Sequence, residues 1–281
     1  MIRNQGAPTE TRNRWIREPA PRSGMGRPRL LCFPFAGGGA TAFRTWPALL
    51  ADVADVHAVR LPGREERHRE PLATDIDALA RDVADAVSDW CLPPYALYGH
   101  SMGARLAHRV VHALAERELP LPGLLVVAAH RAPHQPAPPL MHTLSREELI
   151  CKIEEFGATP QELLDNREIL DLFLPVIRAD FALSETAEEH APRPFNVPIL
   201  ALGGEDDASV GMTELNAWSL HTTAAFRIRR FSGGHFFQFS SEEQLMELLR
   251  DELVGLARGD AGEAEDPDAG RPQRPAWSST S

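Results

Sequence analysis

Nowhere in this 281-residue chain does an apolar run approach the ~20 residues needed to span a bilayer. Cysteine is scarce. Cys32, Cys91 and Cys151 are odd in number, scattered and without C-x-x-C spacing, which speaks against a disulfide framework or a zinc site. Buried thiols in a reducing cytoplasm fit better. Positive charge is also short, with 29 Lys and Arg against 40 Asp and Glu and a net charge of -11. That balance argues against a nucleic-acid binder held by phosphate neutralisation, although part of the acidity lies in a terminal tail. No internal repeat is present. The Arg-rich N-terminus and apolar Leu30 to Ala36 raise the question of a secretory leader. That stretch is short, broken by Pro34, and runs into Gly37-Gly38-Gly39, so it reads as a core strand entering a loop and no signal is expected.

What is present is a rhythm. Short apolar runs at Leu30 to Phe35, Val56 to Leu61, Tyr95 to Tyr98, Leu124 to Ala129, Val197 to Leu202 and Phe226 to Phe231 predict buried strands, and Trp15-Ile16 a short edge strand. Between them, Ile76, Leu79, Val83 and Val87 recur at helical spacing, as do Met102, Leu106, Val110 and Leu114, and Leu245, Leu248, Leu249 and Leu253. Strands alternating with such helices predict an α/β fold, a mostly parallel sheet covered on both faces. The rhythm breaks at residues 143–190, where helical patterns (Glu147 to Phe156, Pro160 to Asp165, Ile169 to Phe181) follow one another with no strand between. A helical insertion there is a candidate lid. Residues 1–11 and 258–281 are polar and non-periodic and are expected to be disordered tails around a domain spanning 12–257.

The chemistry centres on Gly99-His100-Ser101-Met102-Gly103, which follows the third predicted strand and opens a helix. A G-x-S-x-G arises by chance in about one chain in ten of this length, so its context carries the weight. Strand, sharp turn and helix make a nucleophile elbow, with the serine hydroxyl exposed above the sheet and a helix N-terminus beneath it. A serine needs a base. Of the eleven histidines, His235 stands out, in Ser232-Gly233-Gly234-His235-Phe236-Phe237 just past the last strand. His100 is expected to point away from the base position. His108 and His112 are expected on a solvated helix face, and His130, His134 and His142 in structural or rim roles. The third member should be a carboxylate between serine and histidine. Glu205, Asp206 and Asp207 follow the fifth strand and leave that choice open. For an oxyanion, the Met102 N–H is one donor and the loop Phe35-Ala36-Gly37-Gly38-Gly39 should supply another. That loop lacks the Lys-Ser/Thr of a P-loop and the spacing of G-x-G-x-x-G.

Taken together with Leu31-Cys32-Phe33-Pro34-Phe35-Ala36-Gly37-Gly38, Leu61-Pro62-Gly63-Arg64-Glu65 with Arg67 and Glu70-Pro71, Arg131-Ala132-Pro133 and Gly204 to Val210, these motifs resemble the type II (stand-alone, editing) thioesterases of polyketide and nonribosomal peptide synthesis. The resemblance runs from Trp15 to Ala257. It implies an α/β-hydrolase fold with a helical lid, and hydrolysis of acyl groups from the phosphopantetheine arm of a carrier protein. By the family's G-x-x-D-P-x-V pattern it makes Asp207 the triad acid, with Ala208 in place of proline and Asp206 in reserve. It makes Ala36 the loop donor, with Phe35 where the family often has His or Tyr. No cofactor, metal, nucleic acid or membrane is implied; the partner is an acyl or peptidyl carrier protein, and a cytoplasmic monomer is the expectation. Arg64, Arg67 and Arg69 are candidates for docking an acidic carrier. Rival readings are a carboxylesterase or lipase on the same fold, and a non-catalytic binding module.

Overall fold

In the first strand, β1 (Arg29–Phe33), Leu30 and Cys32 face one side and Leu31 and Phe33 the other, and all four are fully buried. A strand apolar on both faces belongs in the middle of a covered sheet. The computed structural model describes residues 14–16, 27–88, 90, 92–135, 140–157, 166–187 and 191–259. Its sheet adds β2 (Asp55–Ala58), β3 (Tyr95–His100), β4 (Leu124–Ala128), β5 (Ile199–Gly204) and β6 (Phe226–Phe231) in the order β2-β1-β3-β4-β5-β6. Every pairing is parallel. Trp15-Ile16 contributes an isolated antiparallel bridge, Ile16 to Val59, in place of the expected edge strand.

Helices α1 (Ile76–Val87) and α2 (Met102–Glu116) cover one face, where Val83, Val87, Leu106 and Val110 meet Leu31, Leu97 and Val127. Asp75 starts α1 by accepting from the N–H groups of Asp77 and Ala78. The other face packs on the last helix, α5 (Glu242–Arg258), through Leu245, Leu249 and Leu253, and on Phe43 and Trp46. The expected helical insertion is present as α3 (Arg146–Phe156) and α4 (Arg167–Glu185). Ser145 and Glu148 close a capping box on α3, which ends at Gly157 in the left-handed region (φ 74°). Asn166 caps α4. Leu149, Ile153, Leu170 and Leu174 give this pair a small core of its own, separate from the two that sandwich the sheet. The predicted helix at Pro160 to Asp165, Cys91, residues 1–11 and most of the predicted C-terminal tail lie outside the described residues. Among the described residues, no helix is long and apolar enough to cross a membrane.

Candidate active site at the ends of β3, β5 and β6

The turn from β3 into α2 holds Ser101 at φ 54°, ψ -124°, a conformation that costs a non-glycine residue of order 1–3 kcal/mol. Its surroundings impose it. The Ser101 N–H donates to the Ala128 carbonyl at 2.8 Å, tying the elbow to β4. A Cβ on Gly99 would lie 2.2 Å from the Gly103 carbonyl oxygen, and one on Gly103 2.2 Å from that of Phe33. Both glycines are therefore required by close backbone approach.

The loop after β6 brings His235 over this serine. His235 Nε2 lies 3.0 Å from Ser101 Oγ, and Nδ1 lies 2.9 Å from Asp207 Oδ2. A carboxylate only accepts, so the Nδ1–H donates to Asp207 and the Nε2 lone pair faces the serine hydroxyl. The Asp207 side chain is 1% exposed. Burial is the largest influence on its carboxyl and raises it. The hydrogen bond and charge of His235, with the donors of Ser209, outweigh burial and hold it below the ordinary value. Ser209 supplies two of those bonds, its N–H at 2.8 Å and its hydroxyl at 2.6 Å from Asp207 Oδ1. Asp206 is exposed, and its backbone N–H donates to the Gly233 carbonyl of the histidine loop at 2.9 Å.

His100 does point away from the base position, yet it touches the same loop. Its Nε2–H donates to the His235 carbonyl at 2.9 Å, and its ring stacks on Phe236. Burial above all, then the neighbouring His235, pushes its pKa well below the ordinary value, so it acts as a neutral donor. The sequence hides this role because the residue inside a G-x-S-x-G gives no sign of which backbone its ring will meet. Two other expectations need correction. His108 is 2% exposed and packs among His112, Phe195, Trp218 and His221; it lies in the core, not on a solvated face. Arg64 and Arg67 are also internal, Arg64 paired with Asp180 of α4, and Arg67 with Glu70 beneath the Trp15 ring. Only Arg69 of the three docking candidates is exposed.

Ser101 opens into a cavity of about 420 Å³ between the sheet end and the helical insertion, bordered by Ala36, Met102, Arg131, Lys152 and Glu185. Beside it lies a smaller apolar chamber of about 90 Å³, walled by Phe35, Ile153, Ile177, Phe181 and Phe236. Phe156 borders both, with its ring 4.8 Å from that of His235. Among the described residues, no cluster of His, Cys, Asp and Glu has the arrangement to hold a metal ion.

A parallel sheet flanked by helices, with a serine elbow after a central strand and its partners on loops after later strands, is the architecture of an α/β-hydrolase. More narrowly, the Thioesterase domain family model matches residues 28–253, and the chain belongs to that family: it is an enzyme that hydrolyses acyl thioesters. The chain is 32% identical over 248 residues to thioesterase PikA5 of Streptomyces venezuelae, covering 87% of each chain. It is 32% identical over 226 residues to the gramicidin S biosynthesis protein GrsT of Aneurinibacillus migulanus, covering 80% of this chain and 88% of GrsT. Among solved structures it is similar to the type II thioesterase BorB from the borrelidin biosynthetic cluster, with a TM-score of 0.78 and 34% identity over 85% of this chain and 98% of that one.

Proposed function

We propose that this enzyme removes acyl groups from the phosphopantetheine arm of carrier proteins in polyketide or nonribosomal peptide synthesis, clearing misprimed or stalled units. Ser101 is the nucleophile, His235 the base and Asp207 the acid that orients it, with the backbone N–H groups of Ala36 and Met102 as the oxyanion hole. The observation that carries this reading is the continuous line from Ser101 Oγ through His235 to Asp207 where the two chambers meet. The names of PikA5, GrsT and BorB support the pathway.

The steps follow from the geometry. Ser101 Oγ attacks the thioester carbonyl as its proton passes to His235 Nε2, and Asp207 stabilises the imidazolium that forms. The tetrahedral oxyanion is held by the two N–H donors, one of them at the N-terminus of α2. Collapse breaks the C–S bond. A thiol of pKa ~8.5 leaves readily, taking the proton from His235. Water, deprotonated by the same imidazole, then hydrolyses the acyl-Ser101 ester. The larger chamber, with Arg131 and Lys152 at its border, suits the polar arm, and the aromatic chamber suits the acyl group.

The test compares acyl-carrier protein, acyl-thioester mimics and matched oxygen esters as substrates. Turnover of acyl-carrier protein above the other two is expected. A preference for oxygen esters with no carrier-protein turnover would overturn the reading in favour of a carboxylesterase. A fluorophosphonate probe should label the wild-type enzyme and not Ser101→Ala; a wild-type enzyme that takes no label would be a binding module.

A further inference from the structure

The loop Phe35 to Gly39 is held from above by the lid. A Cβ on Gly37 would stand 2.5 Å from Ile177 Cγ1, so α4 rests directly on this loop. Three residues further along α4, Asp180 accepts from the Gly37 N–H at 2.7 Å through Oδ2. The same carboxylate takes both terminal nitrogens of Arg64, with Nη2 to Oδ1 at 2.7 Å, and Arg64 Nη1 reaches the Gly38 carbonyl at 3.1 Å. Both side chains are nearly enclosed, 9% and 4% exposed. Glu65 completes the enclosure by accepting from the N–H groups of Ala40 and Thr41, each at 2.9 Å. The chain from Gly37 to Thr41 is thus pinned at both ends by charged groups from two other segments. The pinned residue at one end adjoins Ala36.

An ion pair this enclosed gains little net stability over apolar residues of the same size, because desolvation consumes most of its Coulomb energy. What it does provide is geometry. A bidentate guanidinium fixes the carboxylate in plane and direction, and that carboxylate fixes one backbone N–H. An oxyanion hole works only when its donors are already aimed before charge develops. Gly37 stands at φ 77°, a conformation open to swivelling when nothing holds its N–H.

We propose that Asp180 is a positioning residue for the oxyanion hole, through which the seating of lid helix α4 is coupled to the orientation of the Ala36 N–H. This rests on the reading of Ala36 as an oxyanion donor. With α4 in place, Asp180 and Arg64 hold the Ala36–Gly37 peptide by its Gly37 N–H, and this fixes the direction of the Ala36 N–H one peptide back, toward the thioester carbonyl. With α4 displaced, the Gly37 anchor leaves with it and the hole loses one donor. The enzyme then attacks acyl groups only when the lid is closed over them.

Two double variants isolate the anchor. Arg64→Met/Asp180→Leu removes the ion pair and the acceptor for Gly37. Arg64→Met/Asp180→Asn removes the same ion pair and keeps a neutral acceptor in the same place. Rates are counted per active site titrated with a fluorophosphonate, so that only folded enzyme contributes. The leucine variant is expected to lose about 100-fold in kcat, the size of one oxyanion donor, with KM and acyl-length preference close to wild type. The asparagine variant is expected to recover most of that loss. Equal kcat in the two variants would overturn the proposal. So would a loss in the leucine variant confined to KM or to long acyl chains, which is what a lid-packing role alone produces. If neither double variant yields a titratable site, Asp180→Glu decides, since it keeps the charge pair and displaces the acceptor by one methylene: wild-type kcat there overturns the coupling. Failure of the underlying reading looks different, as a wild-type Ser101 that takes no label and forms no acyl-enzyme.

Discussion

At the scale of single residues, the choice between neighbouring acids shows what local sequence leaves open. Asp206 and Asp207 are chemically alike, and what separates them is the turn between Asp207 and Ser209 that draws one carboxylate under His235. Asp207→Asn is expected to lower kcat about 10⁴-fold, since an amide at that place favours the wrong imidazole tautomer. Asp206→Asn should leave steady-state rates near wild type. Measured side by side on one thioester, a larger loss at position 206 would reverse the assignment. Ser209→Ala removes one of two donors to Asp207 Oδ1 and leaves the other, the backbone N–H, intact. Its expected effect is correspondingly small, a fall in kcat of about tenfold or less, of the order of one hydrogen bond. Position 208, where the family pattern has proline, holds Ala, and the Ser209 hydroxyl gives this turn a side-chain restraint of its own.

Among the elements, periodicity found every strand of the sheet to within a few residues and placed the elbow, the histidine loop and the acid loop at its carboxyl end. That much was legible because strand alternation, glycine at close approach and chain order are local signals. The bonds that organise the oxyanion loop were not. Arg64 and Asp180 are 116 positions apart, and a charged residue in an Arg- and Glu-rich run reads as solvated until its partner is seen. The same holds for His108, whose helix looks polar at that face by composition and is closed over by Trp218 and Phe195. Helices α3 and α4 also wall the smaller chamber, through Ile153, Phe156, Ile177 and Phe181. Phe156, at the end of α3, stands between that chamber and the larger cavity. Phe156→Ala should merge the two and move the preference toward longer or branched acyl groups. A methylene in an apolar pocket is worth about 1–3 kcal/mol, so the ratio of kcat/KM for long over short acyl substrates is expected to rise about tenfold or more. An unchanged acyl-length profile would show that Phe156 does not select acyl length.

For the molecule as a whole, buried histidines tie stability to pH. Burial, reinforced by its His112 and His221 neighbours, lowers the pKa of His108 well below its ordinary value; burial and His134 lower that of His221 to about 4. The unfolded chain protonates these groups from about 6.5 downward, whereas the fold resists until lower pH. Protons therefore favour the unfolded chain. The stability these groups contribute is complete above pH 6.5 and is lost as pH falls toward 4, by about 1.4 kcal/mol per pH unit for each proton withheld. Carboxylates act in a lower window. Glu70, held at about 2 mainly by Arg67 and then Arg14, contributes stability that is present above its unfolded value of 4.5 and is lost between there and 2. Denaturant melts from pH 7 to 5 should show the steeper decline for wild type and a shallower one for His108→Phe, which keeps an aromatic ring among Phe195 and Trp218. Parallel slopes would remove His108 from the acid response.

The line from serine to histidine closes over 134 positions of chain and across strands β3 to β6. No shorter portion of the polypeptide carries Ser101, His235 and Asp207 together, so the triad proposed above assembles only once β3, β5 and β6 are set in one sheet. Long-range parallel pairing is the slow part of folding, while helices form in microseconds. On refolding from denaturant, far-ultraviolet ellipticity should therefore return well ahead of fluorophosphonate labelling, and the first appearance of label marks the moment at which β6 docks.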